Sequence, residues 1–540
     1  MHVLKATDEQ LNIVDAARKI LKGENKANGL KAIAFAGAGK TSTMTMIAED
    51  LCAMGYKGLY LAFNKDIATE AKNKMPPGVD ARTFHSLAYA HTHHAIKSKL
   101  NNRKGFFPKN FAVDFKVADF GIRGDTRKSK VKGKVNDSIW MSNYRQYIVI
   151  KAAMDSFLLD MTDKPEKYHI INSCERVLKA SIDDDNKEML AGRLIQSLRR
   201  LWDSFQDVDD EYAINPNVYL KLWALTRPVI DVDFILFDEA QDSDKLMLDV
   251  LSRQKAKIIY VGDPHQQIYE WRGAVNAMKS IDMQSYYLTQ SFRFGTEIAD
   301  YAGRILDYLG ETKKMSGLAG KESLVDTTQD FPTDINAILC RTNIGAIEAV
   351  LDYAINTSKR VIPSNIDIRD TVQLLHDIEM FKNNDPNLDL KKHFILNNFN
   401  NFKELQDFCE QASADTVISP TYSLYNEYGY ERICEILNSI DNSHSQEDVI
   451  IATTAHKSKG LEWDGVLIWD DFNYVMRKTE MTDYLALKGK GVKLSKPPIN
   501  KAEARLLYVT MTRAKYRLYS HHVDILIRYL DMVEAGEEHE

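Results

Sequence analysis

The sequence predicts an α/β protein: two domains built on parallel sheets, each interrupted by a mainly helical insertion. Three observations carry that expectation. First, eight short runs rich in β-branched and aromatic residues are bounded by turn or helix-start residues. They are KAIAFAG from 31, GLYLAF from 58, FILFDEA from 234, KIIYVGD from 257, AILCRT from 337, DVIIATT from 448, GVLIWD from 465 and YRLYSH from 516. Runs of this length without alternation read as strands buried on both faces, as in a parallel sheet. Second, helical patterns lie between the runs. After Lys40 the apolar positions Met44, Ile47, Leu51 and Met54 recur at steps of three and four, and Gly55 ends the helix. Third, two long stretches do not alternate, and each interrupts a strand–helix series.

The strands fall into two sets on either side of about residue 290. Residues 1–92 read as the first part of domain one, 93–220 as its insertion, and 221–290 as its second part. Residues 291–375 and 447–540 read as domain two, interrupted by a second insertion at 376–446 with Asn-rich punctuation at NNDPN and NNFNN. The tail EAGEEHE is acidic and reads as frayed.

Composition bounds the function classes. In 540 residues, 44% are hydrophobic and 27% charged, which argues against a disordered or fibrous chain. No uncharged apolar run is long enough for a membrane helix, and the start, MHVLKATDEQ, lacks the layout of a secretion signal. Five cysteines lie far apart with no C-x-x-C pair, which fits a reducing, cytoplasmic setting and argues against zinc or a disulfide framework. The cluster His85, His91, His93 and His94 has no cysteine or acidic ligand at metal-site spacing. With 70 Lys+Arg against 76 Asp+Glu, the net charge of −6 weighs against nucleic acid. Where the charges sit decides whether that inference holds.

The strongest local signal is AFAGAGKT, Ala34 to Thr41, after an expected strand and opening an expected helix. Small residues Ala36, Gly37, Ala38 and Gly39 let backbone N–H groups close around phosphates at a helix N-terminus. Lys40 would reach the β- and γ-phosphates, and the Thr41 hydroxyl, followed by Ser42, would bind Mg²⁺. Ala34 stands where the strict pattern has glycine. A second signal is FILFDEAQD, where a buried strand delivers Asp238 and Glu239 to its C-terminal edge. Asp238 would hold Mg²⁺ and Glu239 would activate water; the bland alternative is an exposed acidic turn. The two signals together imply ATP hydrolysis and leave open what it drives.

The remaining blocks are TDEQ from 7, YLAFNK from 60, RTFHSLAY from 82, VGDPHQQIYEWRGA from 261, LTQSFRFG from 288, TTAHKSKGLEWD from 453 and EARLLYVTMTRAK from 503. In this order around the phosphate loop and DEAQ, they resemble the motif series of UvrD/Rep/PcrA-type superfamily-one DNA helicases. The resemblance runs from Gln10 to Lys515, and AFAGAGKT, TFHSLAY and GDPHQQIY are most similar to the F-box DNA helicase branch, here with no F-box expected ahead of the core. It implies two RecA-like P-loop domains, with ATP and Mg²⁺ as cofactors.

The resemblance also implies residue roles. Gln10 matches an adenine-reading glutamine; its alternative is an ordinary exposed helix residue. Phe292 matches an aromatic that stacks on adenine, and Phe35 counts among the nucleotide-binding residues of the phosphate loop. Arg293 and Arg513 match arginines that stabilise γ-phosphate charge and link domain closure to ATP occupancy. Gln266 matches a γ-phosphate sensor, Glu462 a nucleotide-sugar contact, and Arg341 a coupling position. For DNA, Phe63, Asn64, Thr83, Phe84, His85, Tyr269, Trp271, Arg272 and His456 match contact motifs. Aromatics that stack on bases tolerate any sequence, as a translocase requires, although core packing is the usual fate of an aromatic.

From Lys97 to Lys134 twelve basic residues face three aspartates, with Phe106, Phe107, Phe111, Phe115 and Phe120 interleaved. This reads as phosphate neutralisation beside stacking groups, or as a flexible solvated loop. The family's first insertion faces DNA at this place. The second, at about 70 residues, is smaller than the family's, near the size where cores become marginal. Acidic runs such as DDD from 183 read as solvated faces. The expectation is a 3′→5′ single-stranded DNA translocase and helicase that acts at single-/double-strand junctions in replication, repair or recombination, with proteins of those pathways as partners and no membrane. The alternatives are a translocase that strips recombinase with little unwinding, and a nucleotide-gated binding module.

Overall fold

In this computed structural model the described residues are 5–115, 118–123, 138–178, 182–268, 275–364, 369–385, 388, 396, 399, 401–411, 418–441, 449–472, 500–520 and 526–527. Contacts divide the chain into two units, Met1–Ala34 with Gly39–Leu288, and Phe35–Ala38 with Thr289–Glu540.

In the first unit the strands are β1 (Gly29–Ala34), β2 (Gly58–Ala62), β3 (Val79–Thr83), β4 (Phe120–Arg123), β5 (Ser138–Met141), β6 (Phe234–Phe237), β7 (Lys257–Gly262) and β8 (Ser285–Leu288). Six form a parallel sheet in the order β3-β2-β6-β7-β1-β8. Its four inner strands are the four apolar runs of the sequence, and β1, β2 and β6 are buried throughout. The edge strands β3 and β8 have no such run. Sequences VDART and SYYL leave one face in solvent, so nothing marked them.

The helix after β1, Lys40–Ala53, buries Met44, Ile47 and Leu51 completely. Met54, expected in that stripe, is the C-cap and is exposed. Arg18 on helix Asp8–Leu21 makes two hydrogen bonds, 2.9 and 2.6 Å, to Asp50 and ties the two helices together.

The first insertion has a core of its own. Helices Pro108–Phe115, Asn143–Leu158, Lys167–Leu178, Asp184–Gln206 and Pro216–Leu225 enclose a cluster that includes Phe111, Phe157, Leu194, Leu198 and Trp202. The antiparallel hairpin β4–β5 closes one side. This corrects the stacking reading of its phenylalanines. Phe111, Phe115 and Phe120 are buried, and Phe106 packs on Phe111, Phe115 and Tyr147 at 5.1–6.0 Å; among the five only Phe107 is exposed. Phe111 and Phe115 are four apart on one helix, so their spacing is a core stripe.

Two of the basic residues are likewise structural. Lys99 is buried, and its ammonium donates to the carbonyls of Ser204, Asp207 and Asp210, satisfying the end of helix Asp184–Gln206 and the turn beyond. Lys104 pairs with Asp114 at 2.9 Å and lies over the Tyr212 ring. The acidic run at 183 is not merely solvated either. Asp183 caps that same helix through the Asn186 N–H, and Asp184 and Asp185 occupy its first turn, where the helix dipole favours negative charge.

The second unit holds β9 (Leu324–Asp326), β10 (Ala337–Cys340), β11 (Arg360–Pro363), β12 (Val449–Thr454), β13 (Trp463–Ile468) and β14 (Ala514–Tyr519), parallel in the order β11-β12-β10-β13-β14-β9. Among the described residues its insertion encloses no separate core. Ile378, Tyr422, Tyr425 and Ile433 share one cluster with Ile347, Val350 and Tyr353 of helix Asn343–Asn356. Tyr428 adds a 2.6 Å hydrogen bond to Asp352. A segment too short to bury its own core is stabilised by its host.

Phe111→Ala destabilises the first insertion by roughly 3–5 kcal/mol, whereas Phe107→Ala stays within about 0.5 kcal/mol, as read by urea unfolding with hydrogen exchange. In the second unit, burial and the charges of Asp471, Asp352 and Glu427, against a hydrogen bond from Trp469, push Glu348 up to about 7 from 4.5. Between those values the unfolded chain binds fewer protons than the folded one, so stability falls as pH rises through the window. Glu348→Gln abolishes that fall and stabilises the unit by roughly 1–3 kcal/mol at pH 8, measured by thermal unfolding across pH.

Candidate nucleotide and nucleic-acid site

In the first unit the phosphate-loop helix and the ends of β6 and β7 bring Lys40, Asp238 and Glu239 together. Gly39 caps helix Lys40–Ala53 with φ +77°, a conformation open to glycine at no steric cost. Lys40, in the first turn, forms an ion pair with Glu239. Burial works against its charge, and the Glu239 and Asp238 carboxylates outweigh that and raise its pKa.

Asp238 is buried at the end of β6. Its Oδ2 accepts from the Tyr60 hydroxyl at 2.5 Å and its Oδ1 from the Glu239 N–H at 2.9 Å. Burial first, then the Glu239 charge, push its carboxyl up to about 6. Glu239 itself sits at φ +51°, ψ +40°. A non-glycine residue held there stores about 1–3 kcal/mol of backbone strain, a cost typical of functional positions.

Gln241, fully buried, bridges onward. Its amide donates to Glu239 Oε2 at 2.5 Å and to Asp242 at 3.1 Å, and its carbonyl accepts from the Asp263 N–H at 3.0 Å. Asp263 in turn accepts from the Gln266 side chain at 2.8 Å. A hydrogen-bonded path thus runs Lys40–Glu239–Gln241–Asp263–Gln266 across the ends of two adjacent strands. Gly262 is required for it, because a Cβ there would overlap Gln241 Oε1. Sequence reasoning assigned no role to Tyr60 or Gln241. Both lie inside the quoted blocks YLAFNK and DEAQD, but their partners depend on β2 and β7 flanking β6.

The other nucleotide candidates are placed as follows. Gln10 is buried; its carbonyl accepts from Thr7 N–H at 3.0 Å in a capping box, and its amide donates to Thr43 at 3.1 Å. Thr41 and Ser42 lie in the first turn of the loop helix, and Ala34 is buried at the end of β1.

Phe35, Ala36 and Ala38 are buried, and residues 35–38 belong by contacts to the second unit. There the Gly37 carbonyl accepts from Phe292 N–H at 2.9 Å, and Ala36 N–H donates to the Tyr508 hydroxyl at 3.1 Å. Arg293 donates to Glu462 at 2.7 Å and to the Thr512 carbonyl at 2.8 Å. Despite the opposing effect of burial, the Arg293 and Lys515 charges hold the Glu462 carboxyl below its usual range. Arg513 is buried and donates to the Val509 and Leu461 carbonyls at 2.8 and 3.3 Å. Arg341 forms a two-bond fork with Glu503, 2.6 and 2.7 Å.

The nucleic-acid candidates separate by environment. Phe63, at the end of β2, is exposed. Asn64 caps helix Lys65–Lys74 through Ile67 N–H at 2.9 Å, and Thr83 caps helix Phe84–His91 through Ser86 N–H at 3.0 Å. Phe84 is buried edge-on against Phe237, a support for the strand end rather than an open stacking face. His85 bonds Asn217 at 2.9 Å, and His456 follows β12, half-buried. Tyr269, Trp271 and Arg272 lie outside the described residues.

The bridge predicts a coupling. Gly262→Ala destabilises the protein by roughly 1–3 kcal/mol, and adding Gln241→Ala recovers part of the loss. A thermal-unfolding double-mutant cycle measures it; strict additivity would refute the overlap.

Two family models match the chain, an AAA domain over residues 17–272 and the UvrD-like helicase C-terminal domain over residues 367–523. F-box DNA helicase 1 of Gallus gallus is 30% identical over 495 residues, which cover 87% of this chain and 45% of that protein. F-box DNA helicase protein 1 of Schizosaccharomyces pombe is 27% identical over 541 residues, 95% of this chain and 57% of its own. DNA helicase IV of Escherichia coli is 23% identical over 335 residues, 55% and 47%. The chain therefore spans about half the length of the curated relatives it matches. No helix among the described residues is long and apolar enough to cross a membrane. With two parallel sheets, a loop lysine paired to the glutamate of DEAQ, and these two matches along its length, the chain belongs to the UvrD-like helicase family, related to its F-box helicase branch.

Proposed function

We propose that the chain is an ATP-driven motor that moves along single-stranded DNA and separates strands, in the 3′→5′ direction that the family resemblance implies. The observation that carries the hydrolytic half is Glu239, held at φ +51° between Lys40 and Gln241 at the end of a buried strand. Strain of that kind persists where surrounding groups over-determine a side chain's position. In this reading Glu239 takes the proton of the attacking water and Lys40 meets the β- and γ-phosphates.

The donor set fits Mg²⁺, a hard cation that prefers oxygen: the Thr41 hydroxyl and the Asp238 carboxylate would hold it. When bound it neutralises charge on the transferring phosphoryl group. The Gln241–Asp263–Gln266 path gives the γ-phosphate a route to the loop that precedes the proposed strand contacts. The DNA half rests on similarity to proteins named as DNA helicases, with Phe63 as the exposed strand-end aromatic.

A second reading, a translocase that strips bound protein with little unwinding, is favoured by the second insertion. Its described residues share their host's core.

Single-stranded DNA is expected to raise ATP turnover strongly. Glu239→Gln is expected to lower turnover at least about 100-fold while sparing ATP binding. Equal turnover with and without DNA refutes the motor. Duplexes with 3′ or 5′ tails separate the two readings: unwinding of the 3′-tailed duplex supports the helicase, and translocation without unwinding supports stripping.

A further inference from the structure

The hairpin β4–β5 has two unlike faces. Its register pairs Phe120 with Met141 and Ile122 with Ile139, and these residues face the core of the first insertion. The alternate pair, Gly121 with Trp140, therefore belongs to the opposite face. On it Trp140 is 57% exposed, and the residue across the ladder is a glycine, whose missing side chain leaves the indole uncovered. Four residues on, at the start of helix Asn143–Leu158, Tyr144 is 53% exposed. The Arg145 guanidinium is anchored to the Trp140 carbonyl at 3.0 Å and is exposed. The phenylalanines of this insertion that composition singled out are mostly core, so these two aromatics are the open ones beside the hairpin.

Two uncovered aromatics next to a fixed guanidinium suit one class of partner. Nucleobases offer π-faces to the rings, and the phosphates between them offer charge to arginine. The sequence joining β4 to β5, residues 124–137, carries five lysines and arginines against two aspartates, which favours a polyanion over an acidic or neutral protein surface. We propose that Trp140 and Tyr144 form a base-stacking platform for single-stranded nucleic acid on the first insertion, in addition to the strand-end residues. The proposal rests on the nucleic-acid reading above and adds a site to it. Such a platform would hold the strand while the strand-end contacts change grip.

The test uses the full chain and a fluorescein-labelled dT20 oligonucleotide, with binding read by anisotropy at two or more salt concentrations. Trp140→Ala is expected to weaken binding about 10-fold, the scale of one stacked base, with Trp140→Phe restoring most of it and Tyr144→Ala giving a smaller loss. The salt dependence is expected to keep its slope, since no phosphate contact is removed. Thermal midpoints of the variants are expected to match the parent, because both side chains are exposed. Affinity of Trp140→Ala within about two-fold of the parent overturns the platform and leaves the motor reading standing. So does an equal loss on a blunt 20-base-pair duplex, which would mean that stacking on unpaired bases is not the interaction. Failure of the parent to bind dT20 overturns the platform and the nucleic-acid reading together.

Discussion

Two adjacent carboxylates at the buried end of one strand are the constraint around which the first unit is arranged. Burial disfavours charge on Asp238, the neighbouring Glu239 carboxylate disfavours it further, and together they push the Asp238 carboxyl up to about 6. Removing one partner from such a cluster leaves an uncompensated buried charge, which is far costlier than a lost surface pair. Each compensating group arrives from a different element. Lys40 comes from the helix after β1, Tyr60 from β2, and Gln241 from the turn that follows the acids themselves. The sheet order β3-β2-β6-β7-β1-β8 makes this possible, because β2 and β7 flank β6 and β1 lies one strand further. The order of the sheet and the survival of the acid pair are therefore one requirement.

In the second unit, guanidinium groups are held by the same logic with the charges reversed. Arg293 is held by Glu462 and a backbone carbonyl, Arg341 by both oxygens of Glu503, and Arg513 by the carbonyls of Val509 in the preceding helix and of Leu461 before β13. Arginine suits these places because its planar fork of donors can be fixed by two partners and keep its charge. Glu503 and Arg513 lie on or just after one helix, Lys501–Met511, so a single element orders two of the three.

Much of this was legible in the sequence, for a physical reason. Strands buried on both faces must be continuously apolar, and the eight runs are the eight inner strands of the two sheets, of which β14 has an exposed middle. The edge strands β3, β8, β9 and β11 need only one covered face and have no equivalent mark. The phosphate-loop lysine and the acids of DEAQ were recognisable because their chemistry demands a local pattern. Tyr60 and Gln241 were not, since a hydrogen bond to a residue on a neighbouring strand is set by sheet order. Asn64 and Thr83, expected as strand contacts, also cap helices with their side chains, a role that N-cap chemistry at those positions predicts.

The basic insertion shows why charge counts mislead in both directions. A net charge of −6 spoke against a polyanionic partner, and twelve lysines and arginines in one segment spoke for one. Neither number measures charge available to a ligand. Lys99 is committed to three carbonyls at a helix end and the turn beyond it, and Lys104 to Asp114, so part of the apparent positive surface is internal wiring of the fold. The aromatics divide in the same way, with Phe111 and Phe115 supplying the core and Trp140 left outside by the alternation of a two-residue repeat. A segment of this size that encloses a core must spend most of its large side chains on it. Whatever it presents to a partner must come from the faces that helix and strand periodicity leave over, and those faces cannot be read from composition.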